Sequence, residues 1–104
     1  MVARIWKAHA SAENAARYVS YFEARVAPEL TAIAGYQGAE VLVGSGPNAE
    51  IVVITRWTSL EAVSAFAGDD IEAAVVHADA AALLSDYDRG VVHRDVAFEH
   101  RPRG

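Results

Sequence analysis

Cysteine is absent from the chain. That excludes disulfide bridges, thiol nucleophiles and thiolate-bound metals, and it fits a reducing compartment. Basic residues are scarce as well: nine lysines and arginines stand against fourteen aspartates and glutamates, a formal net charge of -5. With no basic stripe to neutralise phosphates, nucleic acid is not an expected partner. No apolar run approaches the roughly 20 residues that cross a bilayer. The opening residues, MVARIWKAHA, carry Arg4 and Lys7 inside their apolar pattern and do not read as a secretory leader. A cytoplasmic protein without a membrane partner is therefore expected. The histidines at 9, 77, 93 and 100 show neither HxH nor HExxH spacing, so no metal site is expected, and the GxSxG context of a serine hydrolase is missing.

What is present suffices for one domain with its own core, read here as residues 1–99 with a polar tail at 100–104. The apolar fraction of 53% is rich in alanine and points to close helix packing. Val2 to Ala8 reads as a strand with Ile5 and Trp6 as its heavy side chains. Ser11 is a suitable N-cap, with Glu13 in the first turn. Ala15, Val19, Phe22, Val26, Leu30 and Ile33 then form one apolar stripe of a long helix. Pro28 predicts a kink or break near Ala27, and Gly35 ends the helix. Gln37–Val43 and Ile51–Ile54 are strands, and Gly44–Asn48 between them is hairpin chemistry. With no lysine and no helix after them, its glycines do not make a phosphate loop.

Thr58 followed by Glu61 is a capping-box pattern, and Leu60, Val63 and Phe66 recur at helical spacing up to Gly68. Asp69 with Glu72 repeats the cap, and Ile71, Ala74, Val75, Ala78 and Ala82 predict a further helix. Ser85–Gly90 is a turn, and Val91–Phe98 alternates as a last strand. The order strand, helix, strand, strand, helix pair, strand is the split βαβ pattern of the ferredoxin-like α+β fold, βαββαβ, an antiparallel sheet with helices on one face. The unbroken run Ile51-Val52-Val53-Ile54 is apolar on both sides and must be covered on both. A second copy of the sheet would cover the face the helices leave open, so a homodimer is expected.

Several segments, taken in order, resemble a known family. They are Ala3-Arg4-Ile5-Trp6, Ile33-Ala34-Gly35-Tyr36-Gln37-Gly38-Ala39, Trp57-Thr58-Ser59-Leu60-Glu61-Ala62, Phe66-Ala67-Gly68, Ala74-Val75-Val76 and Val92-His93. Together they are similar to the small antibiotic biosynthesis monooxygenase-like proteins of the dimeric α+β barrel superfamily. The resemblance implies a ferredoxin-like protomer whose sheet packs on its partner's, with a pocket between sheet and helices. Characterised relatives include cofactor-independent oxygenases of polycyclic phenols, quinol oxygenases and haem-degrading enzymes; others have no known catalysis. The haem-degrading members use an asparagine on the first strand, a tryptophan on the second helix and a histidine on the third. Here Trp6 and Lys7 occupy the first-strand region, Phe66 stands where the tryptophan would lie, and only His77 falls near the histidine. The two asparagines, Asn14 and Asn48, lie elsewhere.

The candidate catalytic residues are His77, at the edge of the stripe of its predicted helix, and His93, which shares a strand face with Asp95. The alternative readings are a partly exposed helix histidine and a polar face at the dimer contact or sheet edge. Trp6, Phe22, Trp57 and Phe66 are candidates to bind an aromatic substrate, against the plainer reading of core aromatics. Arg56 is read either as a counter-charge to a substrate anion or as a surface pair. The string His93-Arg94-Asp95 has no nucleotide loop beside it and is set aside. These residues and the resemblance give three functional expectations: an oxygenase acting without bound cofactor on a small aromatic or quinol-type molecule, a non-catalytic dimer binding a small apolar molecule, and a haem-degrading enzyme.

Overall fold

Two nine-residue strands, one at the start of the chain and one built around the apolar run Ile51–Ile54, set the sheet. In the computed structural model, which describes residues 1–103, β1 (Val2–Ala10) and β3 (Ala49–Trp57) pair antiparallel along their whole length, with Ile5 opposite Ile54 and Trp6 opposite Val53. β2 (Tyr36–Val43) adds to the far edge of β3. The outer edge of β1 is shared by two short strands, β4 (Asp86–Tyr87) and β5 (Val92–Asp95). The order β2-β3-β1 with β4 and β5 outermost is the ferredoxin-like arrangement, its last strand split in two. The predicted strand Val91–Phe98 is thus shorter, and Phe98 stands exposed beyond it.

Strand periodicity puts Val2, Arg4, Trp6, Ala8 and Ala10 on the face that the helices cover, with Ile51, Val53, Thr55 and Trp57 beside them, all buried. Fully burying side chains the size of Ile51 or Leu30 contributes about 1.5–3 kcal/mol each. The opposite face carries Ile5, Val52 and Ile54 half-covered, with Leu42 and Val92 exposed. No helix lies over that face, so the two-sided character of the run at 51–54 is real.

Ser11 caps α1 (Ala12–Tyr21) by accepting from the Asn14 N–H at 3.2 Å. This helix buries Ala15, as expected, together with Tyr18, while Val19 is exposed. The expected break before Pro28 is absorbed differently. One wide turn, Phe22–Val26, carries an Ala27 N–H to Phe22 carbonyl bond, and α2 (Ala27–Thr31) follows directly with Pro28 in its first turn, where a missing N–H is harmless. Gly35, at φ +92°, reverses the chain into β2. α3 (Leu60–Ala67) begins one residue later than the capping-box reading: Ser59 accepts from the Ala62 N–H, while the Thr58 N–H donates to the Gly35 carbonyl.

The largest departure is the segment after Gly68. The predicted helix over Ile71–Ala82 is reduced to α4 (Ala78–Ala81), and residues 70–77 form a non-helical strap that opens with one turn, the Ala73 N–H donating to the Asp70 carbonyl. Its backbone groups are taken by tertiary partners. The carbonyls of Ile71 and Ala73 accept from the Arg4 guanidinium, Ala74 donates to the Arg89 carbonyl and Val91 to that of Glu72. A helix would have sequestered those carbonyls in its own ladder and left a buried guanidinium without acceptors. Residues 100–103 are exposed and have no regular structure; the part of the tail reading that concerns Gly104 lies outside the described residues. Among the described residues no helix is long and apolar enough to cross a membrane.

Candidate functional site

The strap and the two long helical segments leave a cleft of about 370 Å³ against the buried face of the sheet. Its floor is Arg4 and Trp6 from β1 with Val53 and Thr55 from β3; its roof is Tyr18, Phe22 and Leu30; Phe66 of α3 forms part of its wall. The wide turn serves the cleft, since Phe22, Arg25 and Val26 all line it. The rim carries Arg25 and Glu29 from the first helical run, His77 from the end of the strap and Asp79 from α4.

Of the residues expected to bind an aromatic ligand, the structure brings Trp6, Phe22 and Phe66 to the cleft wall. Trp57 is elsewhere. It is wholly buried behind Phe66, stacked on that ring at 5.8 Å and edge-on to Tyr36 at 5.4 Å, so it braces the wall without reaching the cavity. Trp6 is held by its indole N–H, which donates to the Asp88 carbonyl at 2.7 Å, and by tilted contacts with Tyr18 and Tyr87. Burial drives the Tyr18 hydroxyl far above its ordinary pKa of 10, with the neighbouring Tyr21 adding to the shift, so it stays a neutral phenol.

The histidines separate. His77 lines the rim, but as the extended residue that precedes α4 and not as part of a longer helix. Its ring is exposed and has no side-chain partner among the described residues, which leaves both nitrogens available to a ligand. His93 is not on the cleft wall. Its partner is Arg4, whose Nη1 lies 3.2 Å from Nε2, and not Asp95. A guanidinium only donates, so Nε2 must accept, and His93 is held neutral. Desolvation, then the adjacent Arg4 charge, lower its pKa from 6.5, with Glu72 opposing. Arg56, offered as a counter-charge for a substrate, is on the open face of the sheet and pairs with Glu40 at 2.7 Å.

Two residues of the floor were not singled out from the sequence, Arg4 and Thr55. Arg4 is only 4% exposed. Burial lowers its pKa from 12.5, yet a guanidinium remains protonated at neutral pH. Its Cζ lies 5.7 Å from the centre of the Phe66 ring, a cation–π contact on the cleft wall. Thr55, its direct cross-strand neighbour, accepts from the Trp57 indole N–H at 2.8 Å. The signal was legible in principle. Both are polar residues on the buried parity of strands otherwise lined by Val2, Trp6, Ile51 and Val53.

A ferredoxin-like α+β protein with an aromatic cleft between its sheet and its helices is the class these elements define. The model of one family within that class, antibiotic biosynthesis monooxygenase, matches residues 1–77, and the chain belongs to this family. The matched region contains β1 through α3 and the strap; α4, β4 and β5 lie beyond it. No curated protein matches the chain.

Proposed function

We propose that the chain is a cofactor-independent oxygenase whose cleft holds a small aromatic or quinol-type molecule, with His77 as general base and Trp6, Phe22 and Phe66 packing the ring. The observation that carries this reading is the cleft itself. It is built from aromatic walls, is large enough for a bicyclic molecule, and has one histidine of ordinary exposure and no competing partner at its rim. Family membership supports oxygenase chemistry over other uses of the fold.

For a 1,4-quinol the sequence of steps is as follows. His77 takes a phenolic proton, and the phenolate so formed carries electron density on the adjacent ring carbon. That carbon bonds to dioxygen as a peroxide. Loss of its hydrogen as a proton and cleavage of the O–O bond leave a carbonyl, and the departing oxygen leaves as water with the proton His77 returns. One quinol and one dioxygen give one hydroxyquinone and one water. Four electrons pass from ring to oxygen.

With 1,4-dihydroxynaphthalene as probe, wild-type protein should raise oxygen uptake well above the uncatalysed rate. His77→Ala should lower that acceleration by about 10²–10⁴-fold, the usual worth of a general base, while binding persists. Uptake unchanged by His77→Ala would remove His77 from the mechanism. Binding with no acceleration at all would establish the second reading, a non-catalytic binding protein, which the lack of any side chain orienting His77 favours.

The open face of the sheet supports a homodimer. Ile5, Leu42, Val52, Ile54 and Val92 form an apolar patch that no helix covers among the described residues. A second copy, presenting the same face about a two-fold axis, is the occupant that self-complementarity favours.

A further inference from the structure

The cleft floor contains a buried cation with no carboxylate. Four ion pairs exist among the described residues, and Arg4 belongs to none of them: they are His9–Asp86, Arg17–Glu13, Arg56–Glu40 and Arg101–Glu99. Its protein partners are two backbone carbonyls, of Ile71 and Ala73, and the neutral His93. Those contacts use three of the five N–H groups of the guanidinium and supply no negative charge. A charge taken out of water and compensated only by dipoles is costly, and the cost is recovered when an anion enters.

Thr55 adds a second donor at the same place. It faces Arg4 directly across β1 and β3, and both side chains line the cleft. Because its oxygen accepts from the Trp57 indole, its hydroxyl hydrogen points away from Trp57, and no protein acceptor takes it among the described residues. A guanidinium and a hydroxyl borne by directly paired residues, both lining an otherwise apolar floor, are a donor set suited to an anionic group.

We infer that the ligand of this cleft is an aromatic molecule carrying an anionic oxygen, a carboxylate or a phenolate, seated on the Arg4 guanidinium and the Thr55 hydroxyl with its ring among Trp6, Phe22 and Phe66. This rests on the aromatic-ligand reading above and adds the charge of the ligand and the two residues that select it. The rim carboxylates Glu29 and Asp79 are exposed to solvent and screened, whereas Arg4 lies at the desolvated floor. His93 is a positioning residue: it presses on Nη1 and leaves the rest of the fork to the ligand.

The test uses 2-naphthoate and its neutral isostere 2-naphthamide. Affinities come from quenching of tryptophan fluorescence, and location from amide NMR shifts at Phe22 and Phe66 against those at Val52 and Ile54 on the open face. Wild type should bind naphthoate about ten- to a hundredfold more tightly than naphthamide, the worth of one charge-assisted contact. Arg4→Gln should abolish that preference and leave naphthamide affinity in place, and Arg4→Lys should retain part of it. Should Arg4→Gln fail to fold, Thr55→Val serves instead: it should lower naphthoate affinity several-fold more than naphthamide affinity. Equal binding of the two probes by wild type, or a preference that survives Arg4→Gln, would overturn the inference while the aromatic-ligand reading stands. If neither probe binds in the cleft, both fall. A third probe, 2-naphthol, separates the two sources of charge. A naphtholate absorption band in the complex at neutral pH assigns phenolate, and its absence beside a naphthoate preference assigns carboxylate; either accords with the inference.

Discussion

His93 stands 3.2 Å from a buried guanidinium, with its accepting nitrogen turned toward it. Protonation would set two cations against each other. Because the folded-state pKa lies below the ordinary 6.5, the stability associated with neutral His93 is fully present above that pH. It is lost as pH falls through the lower, folded value. The groups that face the ring are Arg4 on β1, which depresses its pKa, and Glu72 on the strap, which opposes. Melting temperatures measured across this acidic window should therefore fall more steeply for wild type than for His93→Gln; parallel curves would show that the pairing is not coupled to folding. The histidine was legible in the sequence as a candidate, but its role was not. Alternation placed it on one face with Asp95, whereas the register with β1 put it opposite Arg4, a pairing of residues far apart in the chain that no local pattern encodes.

At the scale of elements, local rules and tertiary demands divide cleanly. β1, β2, β3, α1 and α3 follow from period, caps and glycine stops, and all were readable. Gly35 shows how far local chemistry can be trusted. Its φ of +92° suits glycine alone, and a Cβ there would lie 2.5 Å from that of Ala62 and 2.7 Å from the Thr58 hydroxyl. Gly35→Ala should cost about 2 kcal/mol or more through strain and collision, a fall of roughly 10 °C in Tm. Gly46→Ala, at φ +102° with nothing within 4 Å, carries the strain without the collision and should cost distinctly less in the same melting assay. Residues 70–77 defied local reading for the opposite reason. Ile71, Ala74, Val75 and Ala78 have helical spacing, but the carbonyls of Ile71 and Ala73 are the acceptors that a buried Arg4 requires. The competing demand arises on β1, and it turned a predicted helix into the strap that bounds the cleft.

For the molecule as a whole, the two faces of one sheet have different tasks. One is covered by helices and holds the cleft; the other carries half-exposed Ile5, Val52 and Ile54 beside the Arg56–Glu40 pair, with no helix over it among the described residues. Ile54→Asp, centred on the bare face opposite Ile5, should convert a dimer into a monomer by light scattering while circular dichroism keeps its folded signature. A wild type that is monomeric at micromolar concentration would contradict the dimer. The fold was visible in the order of the elements, and the run Ile51–Ile54 carried the expectation of a second covered face. The cleft's lining was visible only in part, because Phe22, Phe66 and Trp6 declare themselves as aromatics while Arg4 and Thr55 are brought together only by the strand register. The most direct measurement of the proposed activity follows the oxygen atoms. Metal-stripped protein is given 1,4-dihydroxynaphthalene under isotopically labelled dioxygen, and the product is weighed by mass spectrometry. A hydroxyquinone carrying one labelled oxygen, formed faster than in buffer and dependent on His77, is the expected result. Product without label, or label incorporated only after a metal, flavin or haem is supplied, would contradict it.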